Sequence, residues 1–460
     1  MSRHLTCAVG VVSLLLVSSA WLAAGDAPAT QPSTRPAPAP LSNQVKKGLA
    51  WLAKTQMNDG SWGQGEESSQ MGDALAKIKD TPNVADTCMA LMALYNSGST
   101  PTAGDYQHNI VAAVNFICGQ VEAADSTSLS VTTLNGTRTQ MKLGPSIDTF
   151  MAAQALAEMK GKMADAAGNQ RVESSLKKVL RKMELNQQKN GQWAVGGWAP
   201  TLAQGQAAKA ANVAVQGGAH FDQQKLAYAD GYARSDIRDN EQSIRGEAGA
   251  TETVTGPFTA FKYDSTLGSD TAIAADGGPT TRSGGMAFAH RGAGNAGVPL
   301  YSAAADIAAM QAAANTDHQN AAQNVQYADS ATTQPDVRAR AQQALKNMDA
   351  NDKDLAAAQK LVAQRMQDPQ FADGFGSNGG EEYLSYLNIG ESLSQKGGDD
   401  WTKWAKTMSD NLNRIQNEDG SWSGGHCITG RTFCTAAAIQ VLCIDRSPVV
   451  FAPSTQPAAQ

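Results

Sequence analysis

The stretch KTQMNDGSWG, residues 54–63, returns as RIQNEDGSWSGG at 414–425 and more loosely as LNQQKNGQWAVGG at 185–197. Each copy keeps Gln, Gly and Trp in one order and spacing: Gln56, Gly60 and Trp62; Gln187, Gly191 and Trp193; Gln416, Gly420 and Trp422. A recurrence of this kind is read first, because a missed repeat misassigns the whole fold. The segments leading into the copies have helical periodicity. LSNQVKKGLAWLAKTQ sets Val45, Leu49 and Leu52 on one face behind Ser42 as N-cap, and WTKWAKTMSDNLNRIQ does the same with Trp401, Trp404, Met408, Leu412 and Ile415.

A second kind of helix alternates with these. It is Ala-rich and apolar nearly all round, the pattern of a buried helix. Six such segments lie at 83–98, 145–161, 200–218, 298–314, 380–397 and 430–444, and six amphipathic ones at 42–56, 105–119, 169–188, 222–234, 335–366 and 400–416. Six hairpins of this kind close into a double ring with the buried helices inside, and closure removes the need for capped ends. The expected fold is therefore all-α, an α6/α6 toroid over 42–445; an open solenoid is the alternative. Two insertions interrupt it. Residues 128–143 alternate around Asn135-Gly136 and predict a small β-hairpin. Residues 236–298 are polar and Gly-rich, and read as a small β excursion, a flap or a partly disordered segment.

The chain has 460 residues, 42% apolar and 17% charged, with a formal net charge of -6. Nothing basic is clustered, which argues against nucleic acid as a partner. Residues 1–26 read as a secretory signal, with Arg3 ahead of an apolar run too short for a membrane span. A Pro-rich linker at 27–41 and a similar disordered tail at 446–460 flank the helical region. Export to the periplasm or the exterior is expected. Five cysteines then remain, Cys88, Cys118, Cys427, Cys434 and Cys443, an odd number that allows two disulfides at most.

With Lys47, Gly48, Trp51, Leu52, Gln56, Gly60 and Trp62 in view, KKGLAWLAKTQMNDGSW resembles the QW repeat of squalene–hopene cyclases and other terpenoid cyclases. It also resembles the prenyltransferase and squalene-oxidase repeat of protein prenyltransferase β subunits. QDPQFADGFG (367–376) is a degenerate fourth copy. The resemblance implies an α6/α6 toroid, and it implies structural Gln and Trp residues. A Gln amide donates and accepts at once, Gly permits the turn, and Trp covers the joint.

The activities of that superfamily need residues this chain lacks. No D-x-D-D, D-D-x-x-D or G-C-G-E-Q run is present. In the zinc-holding positions implied by protein prenyltransferases, Cys434 replaces the His, Glu381 or Glu382 replaces the Asp, and Tyr383 or Leu384 replaces the Cys. Other candidates follow from residue type. Cys88, His426, Cys427 and Cys434 lie at the starts of the first and last buried helices, and read as a metal or redox site, a disulfide or core packing. Asp86, Asp148, Glu381 and Glu382 read as helix-start carboxylates or as an acid–base set for glycoside cleavage. Tyr383, Tyr386, Arg431 and His426 would share that mouth as ligand contacts. No cofactor is expected. The leading reading is a binding ring for a small molecule, glycan or peptide; the alternatives are a carbohydrate-active hydrolase or lyase, or a diverged cyclase-like or prenyltransferase-like enzyme.

Overall fold

The computed structural model describes residues 40–68, 78–193, 196–246, 298–374 and 378–447, with the strand backbones 252–254, 258–264, 269–275 and 280–282. The predicted signal segment, nearly all of the linker, most of the tail and the rest of the 236–298 insertion lie outside the described residues. Within them the chain is helical. In order come α1 (Asn43–Thr55), α2 (Val84–Asn96), α3 (Gln107–Ala123), α4 (Arg138–Leu143), α5 (Ile147–Met159), α6 (Ala166–Asn186), α7 (Pro200–Gln216) and α8 (Gln223–Asp239). Then follow α9 (Glu241–Arg245), α10 (Pro299–Asp329), α11 (Pro335–Arg365), α12 (Pro369–Ala372), α13 (Gly380–Lys396), α14 (Gly398–Arg414) and α15 (Arg431–Leu442). All twelve expected helices are present, and no described helix is long and apolar enough to cross a membrane.

The six apolar helices touch in sequence. α2 packs on α5, α5 on α7, α7 on α10, α10 on α13, α13 on α15, and α15 returns to α2. The amphipathic helices α1, α3, α6, α8, α11 and α14 each cover one or two of these. The inner six run parallel. Ala85 N near the start of α2 donates to Asp148 at the start of α5, and Tyr301 at the start of α10 donates to Glu382 at the start of α13. At the other end Asn96 of α2 meets Gln440 of α15. Small residues allow the close approach: a Cβ on Gly205 of α7 would lie 2.6 Å from Ala305 O of α10.

The repeated Gln-Gly-Trp joints share one geometry. Gln56 Nε2 donates to Gly60 O at 2.9 Å and to Asn109 O, at the start of α3, at 2.9 Å. Gln187 bridges Gly191 O and Lys225 O of α8, and Gln416 bridges Gly420 O and Gln44 O of α1. The Trp indole reaches back to the helix just ended, donating to Leu52 O, Met183 O and Leu412 O in turn. Its backbone N–H donates forward to a side chain of the next inner helix: Thr87, Gln204 and Thr435. Each joint therefore ties the outer helix it ends, the outer helix beyond it and the next inner helix. The third ties α14 to α1, the two chain ends.

The β-hairpin expected at 128–143 is not formed. Thr137 and Gln140 make a reciprocal capping box that starts α4 at Arg138, and Arg138 makes a bidentate, buried pair with Glu67 (2.8 and 2.9 Å). Gly136 does adopt a positive φ of 82°, but the turn has no strand on either side. The paired strands lie in the other insertion, Glu252–Val254 with Thr280–Arg282 and Phe258–Asp264 with Ser269–Ala275, both antiparallel. α10 is also longer than expected. It continues 15 residues past 314 (329 − 314), roughly 22 Å at the α-helical rise, because α11 lies along it. His318 sits on this extension 3.0 Å from Asp352 of α11.

The joint glycines give a direct test. Gly60, Gly191 and Gly420 have φ of 88°, 89° and 91°, and an added Cβ would lie 2.3, 2.1 and 2.8 Å from a carbonyl oxygen of the next outer helix. Gly60→Ala or Gly420→Ala should lower unfolding free energy by about 2–4 kcal/mol in chemical denaturation, combining left-handed strain with overpacking. Gly136→Ala, with open space around it, should cost only about 1–2 kcal/mol. Equal losses at all three would remove the joints from their structural role.

Candidate functional site

The sequence candidates converge at the N-terminal ends of the inner helices. Asp148 is consumed in the framework: Oδ1 accepts from Ala85 N at 2.9 Å and Oδ2 from Gln140 Nε2 at 2.8 Å. It thus satisfies the start of the neighbouring helix rather than its own. The N-cap of α2 is Asn83, whose side chain accepts from Asp86 N. The Asp86 carboxyl is fully buried without a hydrogen bond of ordinary geometry, and burial pushes it up to about 7 against a weaker pull from Asn83. Glu381 Oε2 accepts from Ile428 N at 3.1 Å; burial, then neighbouring Glu382, push its carboxyl up to about 8. Glu382 accepts from the Tyr301 hydroxyl and from Gly379 N (2.9 Å), and His426 Nε2 lies 3.5 Å away.

All four carboxyls have 0–1% of their surface exposed. They form a buried acid cluster under the loops 63–68 and 424–430. The expected ligand contacts are also engaged. Tyr383 OH donates to Ser423 O at 3.4 Å, Tyr386 OH to Ala372 O at 2.6 Å, and Arg431 pairs with Asp419 at 2.6 Å inside the third joint. Cys88, Cys427 and Cys434 are buried free thiols pushed up by desolvation, and Cys434 donates weakly to Ile428 O. No disulfide forms among the described cysteines. No three His, Cys, Asp or Glu side chains there converge as a metal-ligand set.

A second polar centre lies toward the C-terminal ends of the same helices. Lys209 of α7 reaches past α10 to pair with Glu391 of α13, both nearly buried, and Asn388 Oδ1 lies 3.5 Å from the ammonium. Glu158 of α5 shares this field. Burial pushes its carboxyl up to about 7, with Lys162 drawing it down, Glu391 raising it and Lys209 lowering it. Above the pair is a small, partly open recess of about 20 Å³ between α7, α10 and α13, enough for about one water. Its walls carry Gln216, Gln311, Asn315, Asn388, Ser392 and Gln395. Gln311 is the hub of the amides, donating to Asn315 and Gln395 and accepting from Gln359 and Ser392. Asn388 Nδ2 is buried without a partner among the described residues. The sequence reading passed over this centre. Its signal was a charge set within each apolar segment: Lys209 in QAAKAAN, Glu158 in ALAEMKG and Glu391 in NIGESLS.

No protein-family model matches the chain, and no curated protein is significantly similar to it.

The buried acids set the pH response. A carboxyl raised in the fold keeps a proton that the unfolded chain has released, so stability falls as pH climbs from the ordinary carboxylate range, near 4, to the raised value. Asp86, Glu158 and Asp230 at about 7, Glu381 at about 8, and Asp148 and Asp306, also raised by burial, all act in this sense. Glu122, held down by Arg171, and Asp125, held down by Ser128, act oppositely but are solvent-screened. The melting temperature should therefore be several degrees lower at pH 8 than at pH 5. Glu381→Gln with Asp306→Asn should flatten that slope; an unchanged slope would place the titration elsewhere.

Proposed function

We propose that this chain is an exported ligand- or partner-binding ring. It is read as an α6/α6 toroid joined like the terpenoid cyclase and protein prenyltransferase superfamily but without those families' catalytic motifs. The closed order of inner-helix contacts and the three equivalent joints support the toroid. The observation that carries the function is the Lys209–Glu391 pair beneath a small, partly open, amide-walled recess. A desolvated ion pair is a costly way to fill a core, and apolar residues of similar volume often serve stability as well. Its position at the floor of a polar opening fits a ligand seat.

The enzyme readings have less support. A hydrolase or lyase needs carboxylates that touch substrate, and Asp86, Asp148, Glu381 and Glu382 have almost no exposed surface. A cyclase stabilises carbocations on aromatic faces, and the recess has no aromatic wall.

A screen of the full mature chain against glycan, lipid and peptide arrays should find a ligand. Lys209→Met, alone and with Glu391→Leu to avoid an orphaned charge, should weaken that ligand at least tenfold. Asp86→Asn with Glu381→Gln should leave it bound. The opposite pattern would move the seat to the N-terminal cluster, and an empty screen would remove the binding reading.

A further inference from the structure

The chain contains three Asn-Gly pairs: Asn135-Gly136, Asn190-Gly191 and Asn378-Gly379. Glycine has no Cβ to shield its own amide nitrogen, so in each pair that nitrogen can reach the preceding side-chain amide once the backbone is free to turn. The fold grants that freedom unequally. We infer that Asn135 is a site of spontaneous deamidation, selected from the three by the tertiary structure.

Two of the pairs are locked. Gly191 N donates to Gln188 O at 3.1 Å inside the second joint, and Gln192 holds both ends of the Asn190 amide. Gly379 N donates to Glu382 Oε2 at 2.9 Å, and Asn378 Oδ1 accepts from Tyr386 OH at 3.2 Å. Both glycines are buried, and an added Cβ would lie 2.1 Å from Tyr228 O at Gly191 and 2.5 Å from His426 O at Gly379. The backbone there has no room to rotate. Asn135 is exposed, and its Nδ2 donates to Thr133 O at 3.1 Å. Gly136 has open space around it, and its N–H makes no hydrogen bond among the described residues.

The chemistry needs only water. The Gly136 nitrogen loses its proton and attacks the Asn135 side-chain carbonyl carbon. A C–N bond forms, a five-membered imide closes, and the side-chain nitrogen leaves as ammonia with the proton. Water then adds to one of the two imide carbonyls and breaks its C–N bond. One cleavage gives aspartate; the other gives isoaspartate, with the chain running through the former side chain. Either product adds one negative charge. The isoaspartyl link also adds a backbone atom inside a clasped turn. Gln140 accepts from Thr137 N and donates to Leu134 O on the two sides of Asn135, and it donates to Asp148 as well. The longer link therefore disturbs the capping box and the support of α5.

The test is incubation of the full mature chain at 37 °C and pH 8, with peptide mapping by mass spectrometry at each of the three pairs. Enzymatic methylation of isoaspartyl carboxyls provides a second readout. Asn135 should react at least tenfold faster than Asn190 or Asn378, because those two react only through local opening. The Asn135 rate should fall at pH 6, where less of the amide is deprotonated, and Gly136→Ala should slow it. In guanidinium chloride the three rates should converge. Equal native rates, faster reaction at Asn190 or Asn378, or no reaction at Asn135 overturns the site. A preference for Asn135 that persists in the denatured chain overturns its selection by the fold.

Discussion

The fold depends on one side-chain amide used three times. Gln56, Gln187 and Gln416 each donate from a single nitrogen to two backbone carbonyls, one in the loop that follows and one at the start of the next outer helix. Helix ends leave carbonyls without partners. One amide here bonds a carbonyl of the turn that ends one outer helix and a first-turn carbonyl of the next, and so sets the spacing between successive hairpins. Trp62, Trp193 and Trp422 then cover the junction, each at most 2% exposed, with the indole N–H anchored two to three residues before the helix end. The third joint has the largest consequence. Gln416 bonds to Gln44, 372 residues earlier, and Gly420 packs on Lys47, so the last hairpin is held to the first.

Within that frame the inner helices face a shared constraint. They are nearly all buried, so polar side chains on them must find partners or shift their protonation. At the N-terminal ends most of the carboxylates do the first through backbone amides, and Asp86 and Glu381 illustrate the second. Toward the other end the chain uses amides and one ion pair instead. The difference in chemistry follows helix polarity: acids suit the ends where N–H groups are unpaired, and neutral amides are tolerated where carbonyls are.

Much of this was legible in the sequence. All twelve helices are present, most of them close to their predicted limits, because buried and amphipathic segments differ sharply in periodicity. Ser42 caps α1 as expected, accepting from Val45 N. The failures have physical causes. Asn135-Gly136 is a genuine turn, but Thr137 and Gln140 close a helix cap immediately after it, which a strand pattern does not reveal. The long α10 was cut short because its outer half lost the buried pattern while keeping helical propensity. The carboxylates were found at the helix starts, but not the partner each one serves. Asp148 serves α2, a partner 63 residues away, and no local pattern contains that information.

The sequence by itself determined the alternation of buried and covering helices and the three joints between them. Those are local facts, carried by periodicity and by Gln, Gly and Trp at constant spacing. Only the tertiary structure decided which side chains meet. Lys209, Glu391 and Glu158 lie on three largely apolar helices separated by up to 233 residues (391 − 158). Their meeting depends on the rotation of each helix about its axis and on the order in which the helices close. Both are set by packing across the whole inner layer, so the polar centre became visible only when the hairpins were assembled.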